Sequence, residues 1–272
     1  MDKWINYGGA NCCYQVEGKG KTVMLLHGFI EDGSMWEGLK SSLKRDYKVI
    51  IPDLPGFGKS PLLMHELSME WYAQYVYEIL KAEKIKKLIL LGHSMGGYIT
   101  LNFAEKHEDM LAGFGLLNSH CFEDTPSKKE NRQKGIDFVK KNGTHFFIRE
   151  LYNSIFHESF KKKNKKLVVG MIENAQKYTP EAVMLANAAM MNRKDKSEVL
   201  KRAGGPVLFI AGKEDESAPV ALTLKQASYP TNADFHLFSA CKHMSIFERK
   251  ADVQKIIIAF CERAFNESNY LL

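Results

Sequence analysis

Short apolar runs, turn-rich loops and amphipathic stretches of helical period follow one another along most of the chain. Thr22-Val23-Met24-Leu25-Leu26, Val49-Ile50-Ile51, Leu88-Ile89-Leu90-Leu91 and Val207-Leu208-Phe209-Ile210-Ala211 are almost continuously apolar. Strands buried on both faces of a parallel sheet read this way, because neither face alternates towards water. Residues 11–17, 111–117 and 235–238 predict further strands. Helical patterns separate them, over residues 35–43, 68–83, from the glycines at 96–97 to about 106, and 252–265. Ser68 suits the N-cap of the second, and Tyr72, Tyr75, Val76, Ile79 and Leu80 recur along one of its faces. Strands and helices alternating at this spacing predict βαβ units, right-handed crossovers and a mostly parallel α/β sheet.

The pattern changes after Leu117. Strand signals give way to helical ones until about Arg202. Ser127-Lys128-Lys129-Glu130 is a capping-box pattern ahead of a helix to about residue 141. Residues 144–156 are amphipathic, and Thr179-Pro180 offers an N-cap and an N1 proline for a helix through Met191. Residues 119–198 are therefore expected to form a helical cap (lid), inserted in a core made of 1–118 and 199–272.

Composition narrows the class without changing this picture. With 272 residues, 45% hydrophobic and 26% charged, the chain has enough apolar residues for a large core. No basic-then-apolar leader opens it, and no run approaches the roughly 20 apolar residues of a spanning helix. A cytoplasmic location without a membrane partner is the expectation. Five cysteines without a Cys-x-x-Cys read as reduced, mostly buried thiols. The formal charge of +6 owes much to Lys161-Lys162-Lys163-Asn164-Lys165-Lys166, a run with no aromatic residue inside it. It reads as a solvated loop or helix end, so no nucleic-acid partner is expected.

Candidate chemistry centres on Gly92-His93-Ser94-Met95-Gly96. It lies between an apolar strand pattern and a helical one, the context in which Gly-x-Ser-x-Gly forms a nucleophile elbow. The turn strains Ser94 and aims its hydroxyl out of the sheet. A serine hydroxyl needs a base, usually a histidine oriented by a carboxylate, and an elbow places these later, as acid and then histidine. His243 follows the last strand pattern, whereas His27 and His93 precede every candidate acid. For the acid, Asp215 follows the strand ending at Gly212; Glu214, Glu216 and the more distant Asp124 compete with it. Two backbone amides are needed for an oxyanion. Met95 follows the nucleophile at a helix start, and the turn at Gly28 suits the Phe29 amide. His-Glu-x-x-His, metal-spaced cysteines, a P-loop and Gly-x-Gly-x-x-Gly are all missing from the sequence, so neither metal nor cofactor is expected.

His27-Gly28-Phe29, Asp53-Leu54-Pro55-Gly56-Phe57-Gly58-Lys59-Ser60, the elbow, Gly212-x-x-Asp215-x-x-x-Pro219 and His243-Met244 occur in that order. Together they resemble the α/β-hydrolase superfamily over essentially the whole chain. The resemblance implies an eight-stranded, mostly parallel sheet with a helical lid after the sixth strand. It also implies Ser94, His243 and Asp215 as the triad, with Phe29 and Met95 as oxyanion donors. Ser94 is unlike the aspartate of epoxide hydrolases and haloalkane dehalogenases, and His27-Gly28-Phe29-Ile30-Glu31 is unlike the His-Gly-Gly-Pro-Gly of proline iminopeptidases. The expected function is hydrolysis of a small carboxylic ester, an apolar acyl or ester compound, through an acyl-enzyme on Ser94. Alternatives are a C–C hydrolase or lyase with the same triad, and a ligand-binding receptor that uses the same pocket.

Overall fold

The computed structural model describes residues 1–62 and 66–267. Strands β1 (Asp2–Tyr7) and β2 (Ala10–Glu17) form an antiparallel hairpin. Gly8 and Gly9 close it with φ of 58° and 78°, the positive-φ pair that matches the twist of the flanking strands. The strand β1 is absent from the sequence expectation for a physical reason. It is an edge strand, its residues alternate between exposed and half-buried, and Trp4 is 49% exposed, so it makes no continuous apolar run.

Next come β3 (Thr22–Leu26), α1 (Glu37–Leu43), β4 (Lys48–Pro52), α2 (Met69–Ala82), β5 (Leu88–His93), α3 (Met95–His107) and β6 (Leu111–Leu117). The helices α4 (Pro126–Asn142), α5 (His145–Ile155), α6 (Glu158–Lys163), α7 (Lys165–Ala175), α8 (Pro180–Met191) and α9 (Ser197–Lys201) precede β7 (Val207–Gly212). The chain continues through α10 (Val220–Ala227), β8 (Ala233–Phe238), α11 (Ser245–Glu248) and α12 (Lys250–Glu267). The eight strands form one sheet in the order β1-β2-β4-β3-β5-β6-β7-β8. Pairing is parallel from β4 through β8 and antiparallel where β2 meets β1 and β4.

Side chains alternate across the sheet with a period of two. Val23 and Leu25 of β3 pack with Leu39, Leu43, Ile257 and Phe260, against α1 and α12. Met24 and Leu26 pack on the other face with Tyr72, Val76 and Ile99, against α2 and α3. From β3 the chain runs outwards to β4 and then returns to the other side of β3 as β5. The carboxyl ends of β3 and β5 therefore flank a topological switch point, where open α/β sheets leave a crevice for ligands.

The segment from α4 to α9 is tied to the loops at that end of the sheet. Tyr152 Oη donates to Ile30 O (2.8 Å), Tyr178 Oη to Asp32 (3.0 Å), and the His243 amide to Ile155 O (3.0 Å). Helix α4 begins slightly earlier than the capping-box pattern predicts. Thr125 is the N-cap, its Oγ1 accepting from the Lys128 amide (3.3 Å), and Pro126 takes N1, where its fixed φ fits. The lysine run divides between the last turn of α6 and the first of α7. All five cysteines are buried thiols. Among the described residues, no helix is long and apolar enough to cross a membrane, and no group of His, Cys, Asp and Glu is placed to hold a metal ion.

Candidate active site

Ser94 sits between the end of β5 and the start of α3, with φ 50° and ψ −114°. That conformation is strained for a side chain with a Cβ, and its surroundings hold it there. The Ser94 amide donates to Leu117 O at the end of β6 (2.9 Å), and Ser94 O accepts from Ser119 Oγ (2.8 Å). A Cβ on Gly92 would collide with the Gly96 carbonyl, so only glycine lets strand and helix cross this closely.

The loops after β7 and β8 bring two more side chains to Ser94. His243 Nε2 lies 2.8 Å from Ser94 Oγ, and His243 Nδ1 lies 2.8 Å from Asp215 Oδ2. Asp215 Oδ1 also accepts from the amides of Ser217 (2.8 Å) and Ala218 (3.0 Å), and Oδ2 from Asn118 Nδ2 (3.0 Å). Burial alone would raise the Asp215 pKa. The charge and hydrogen bond of His243, with the Ala218 amide and Asn118, outweigh burial and hold it below the usual carboxylate range. With Asp215 ionised and accepting at Nδ1, the imidazole carries its neutral-form proton there, leaving Nε2 free to accept the serine proton.

The competing carboxylates are engaged elsewhere. Glu214 accepts from the Cys241 amide (3.1 Å), Glu216 faces Lys242 (3.3 Å), and Asp124 pairs with Arg132 and Arg193. Met95 is the first residue of α3, at N1, where a helix offers its amide no internal acceptor. Phe29 lies on the wall of the same cavity as Ser94, its ring edge-to-face with Phe57 and Phe147. The neighbouring Gly28 amide is taken by Glu31 Oε2 (2.7 Å).

Three residues around this site were given no role by the sequence reading. Asn118, at φ 48° just past β6, joins the Asp215 carboxylate to Lys242 O (3.0 Å) and accepts from Ser245 Oγ. Its signal was an Asn directly after a buried strand, the residue type that best tolerates positive φ. Glu31 and His93 form a buried pair at 3.0 Å, and His93 Nε2 donates to His243 O (2.9 Å). A carbonyl and a carboxylate both accept, so His93 donates from both ring nitrogens and is an imidazolium. Burial opposes charge on both partners. Their mutual attraction prevails, raising His93 and lowering Glu31. Glu31 thereby links the Gly28 turn to the His243 loop. No local pattern marks a contact between positions 62 residues apart.

The cavity beside Ser94 has a volume of about 230 Å³. Phe147, Leu151 and Ile155 of α5 and Met190 of α8 supply much of its apolar wall. Two neighbouring phenylalanines stay off this wall: Phe156 stacks on Phe160 in the core, and Phe146 is 58% exposed.

Residues 21–250 match the family described as alpha/beta hydrolase fold. The chain belongs to that family. This α/β-hydrolase is 25% identical to the 2-hydroxy-6-oxo-6-(2'-aminophenyl)hexa-2,4-dienoic acid hydrolase of Metapseudomonas resinovorans, over 97% of this chain and 91% of that one. It is 26% identical to the pimeloyl-[acyl-carrier protein] methyl ester esterase of Wigglesworthia glossinidia brevipalpis, over 77% of this chain and 81% of that one. Among solved structures, a thermophilic esterase from Thermogutta terrifontis, malate bound, superposes with a TM-score of 0.91 at 27% identity, covering 97% and 99% of the two chains. The α/β-hydrolase is thus akin to hydrolases and esterases.

Proposed function

We propose that the α/β-hydrolase cleaves a small carboxylic ester through an acyl-enzyme on Ser94. The observation that carries this reading is the unbroken line from Asp215 through His243 to Ser94 Oγ, with both links at 2.8 Å. In the reaction, His243 Nε2 takes the hydroxyl proton as Ser94 Oγ attacks the ester carbonyl. The Met95 and Phe29 amides hold the oxyanion, aided by the positive end of α3. The alcohol leaves with the proton from His243. Water, activated by the same histidine, then attacks the acyl-enzyme and frees Ser94. Residues 119–198 act as the cap that closes over the substrate, and a cavity of about 230 Å³ suits a small one, below the ~300–1,000 Å³ of sites for drug-sized ligands.

The relation to the dienoic acid hydrolase favours a second reading, in which the same residues cleave a carbon–carbon bond. A fluorophosphonate probe and a panel of p-nitrophenyl esters test both. The wild type is expected to be labelled and Ser94→Ala not, with turnover best for short acyl chains. Equal labelling of both proteins refutes the role of Ser94. Labelling without ester turnover transfers the assignment to the carbon–carbon reading.

A further inference from the structure

The wall of the Ser94 cavity includes charges that the ester chemistry leaves unused. Lys128 and Arg132 of α4 line it, together with Asn187 of α8. The charges in this cluster do not balance. Asp124 is shared, accepting from both Arg132 Nε and Arg193 Nη1. The Lys128 ammonium has no hydrogen-bond or ion-pair partner among the described residues. Glu31, also on the cavity wall, is already neutralised by His93. Lys128, Arg132 and Arg193 therefore set three cations against two carboxylates, Asp124 and Asp215 (whose charge also reaches Lys128), an excess of one positive charge.

The titration of nearby groups is consistent with surplus positive charge. Burial lowers the Lys128 pKa, and Arg132 and Arg193 lower it further, outweighing the opposite pull of Asp124 and Asp215. Burial, then Arg193, drives His120 down to about 3, so this histidine is uncharged. Two buried nitrogens of Arg193, Nε and Nη2, also have no hydrogen-bond partner among the described residues. Cations crowded in a half-apolar cavity are unfavourable in isolation and become favourable when an anion enters.

We infer that the substrate carries a carboxylate besides the bond that is cleaved, and that Lys128, backed by Arg132, receives it. The substrate class is then a half-ester of a short dicarboxylic acid, with the ester at Ser94 and the free acid at α4. The choice of an ester rests on the function proposed above. The anion subsite rests on the cavity alone.

Two measurements separate these claims. The first compares kcat/KM for monomethyl glutarate with that for methyl pentanoate. A charge-assisted contact predicts a preference for the acid of roughly tenfold to a hundredfold in the wild type. Lys128→Met is expected to reduce this ratio by about the same factor, and Lys128→Arg to keep most of it. A wild type without acid preference, or a ratio unchanged in Lys128→Met, overturns the subsite.

The second measurement is calorimetric titration of Ser94→Ala with free glutarate. Binding that weakens about tenfold on adding Lys128→Met supports the subsite even if neither ester is turned over. In that event the ester reading fails and the subsite stands. Turnover of the neutral ester alone, with no glutarate binding, has the opposite meaning.

Discussion

Asp215→Asn isolates what the carboxylate does for His243. The asparagine has one oxygen where the two carboxylate oxygens now accept from four donors, with His243 Nδ1 within reach of both. Keeping that oxygen at Oδ1 satisfies the Ser217 and Ala218 amides and turns the new NH₂ towards His243 Nδ1. The flipped orientation strands both backbone amides, at about 1–3 kcal/mol each, so the first is preferred by roughly 2–6 kcal/mol. With a donor at the nearer position, 2.8 Å from Nδ1, and the remaining oxygen farther off at 3.0 Å and already accepting two amides, the imidazole proton is shifted towards Nε2, 2.8 Å from Ser94 Oγ. His243 then has no lone pair for the serine proton. In serine proteases this tautomer error costs about 10⁴ in kcat, which is about 5.4 kcal/mol of transition-state stabilisation. The fold should tolerate the change, because Asn118 Nδ2 keeps its second acceptor, Lys242 O, at 3.0 Å. The assay is steady-state turnover of a short p-nitrophenyl ester, with urea denaturation as the check on folding. A folded Asp215→Asn protein that keeps kcat within about tenfold of wild type refutes the argument. Asp124→Asn is the contrast. It strands Arg132 and Arg193, so its effect is expected in stability, about 3–5 kcal/mol, by the same denaturation.

Two further predictions concern the frame of the site. The Glu31–His93 pair makes stability depend on pH from both sides. The Glu31 pKa is depressed from 4.5, so its contribution is complete above that value and is lost as pH falls through its lowered folded pKa. The His93 pKa is raised from 6.5, so its contribution is complete below that value and is lost as pH rises through its raised folded pKa. The advantage of wild type over the double variant Glu31→Gln/His93→Asn should therefore peak between pH 4.5 and 6.5. Urea midpoints that differ by a constant amount across pH would falsify the paired-ion description. At the elbow, Gly92→Ala drives a Cβ into the Gly96 carbonyl and should destabilise by about 1–3 kcal/mol or more. A thermal midpoint equal to wild type would show that strand and helix separate more easily than their packing implies.

The sheet was legible wherever a strand is buried on both faces. Runs such as Leu88–Leu91 carry their burial in composition, since every position meets core. The edge strand β1 was not legible, because its half-exposed residues resemble any polar stretch with two aromatics. The helices α6 and α7 were hidden by the lysine run, whose charge says surface and nothing about backbone. In the candidate site, Ser94, Asp215 and His243 were named from motifs, each a short string beside a strand end. The structure brings those three within hydrogen-bond reach of one another.

What the sequence alone determined is therefore local. Period, caps and glycines at close crossings fix the strands, most helices and the strained turn at Ser94, because each depends on neighbours a few residues away. Tertiary structure decided everything that depends on pairing across the fold. Among Glu214, Asp215, Glu216 and Asp124, only the folded loops show which carboxylate meets His243. The same holds for His93, a histidine beside Ser94 in sequence that becomes a buried cation only when Glu31 arrives from another loop. It holds too for Lys128, one lysine of 38 lysines and arginines, distinguished by the cavity it faces and by having no partner there among the described residues. Charge in a chain is a count, whereas charge in a cavity is an energy, and only folding converts one into the other.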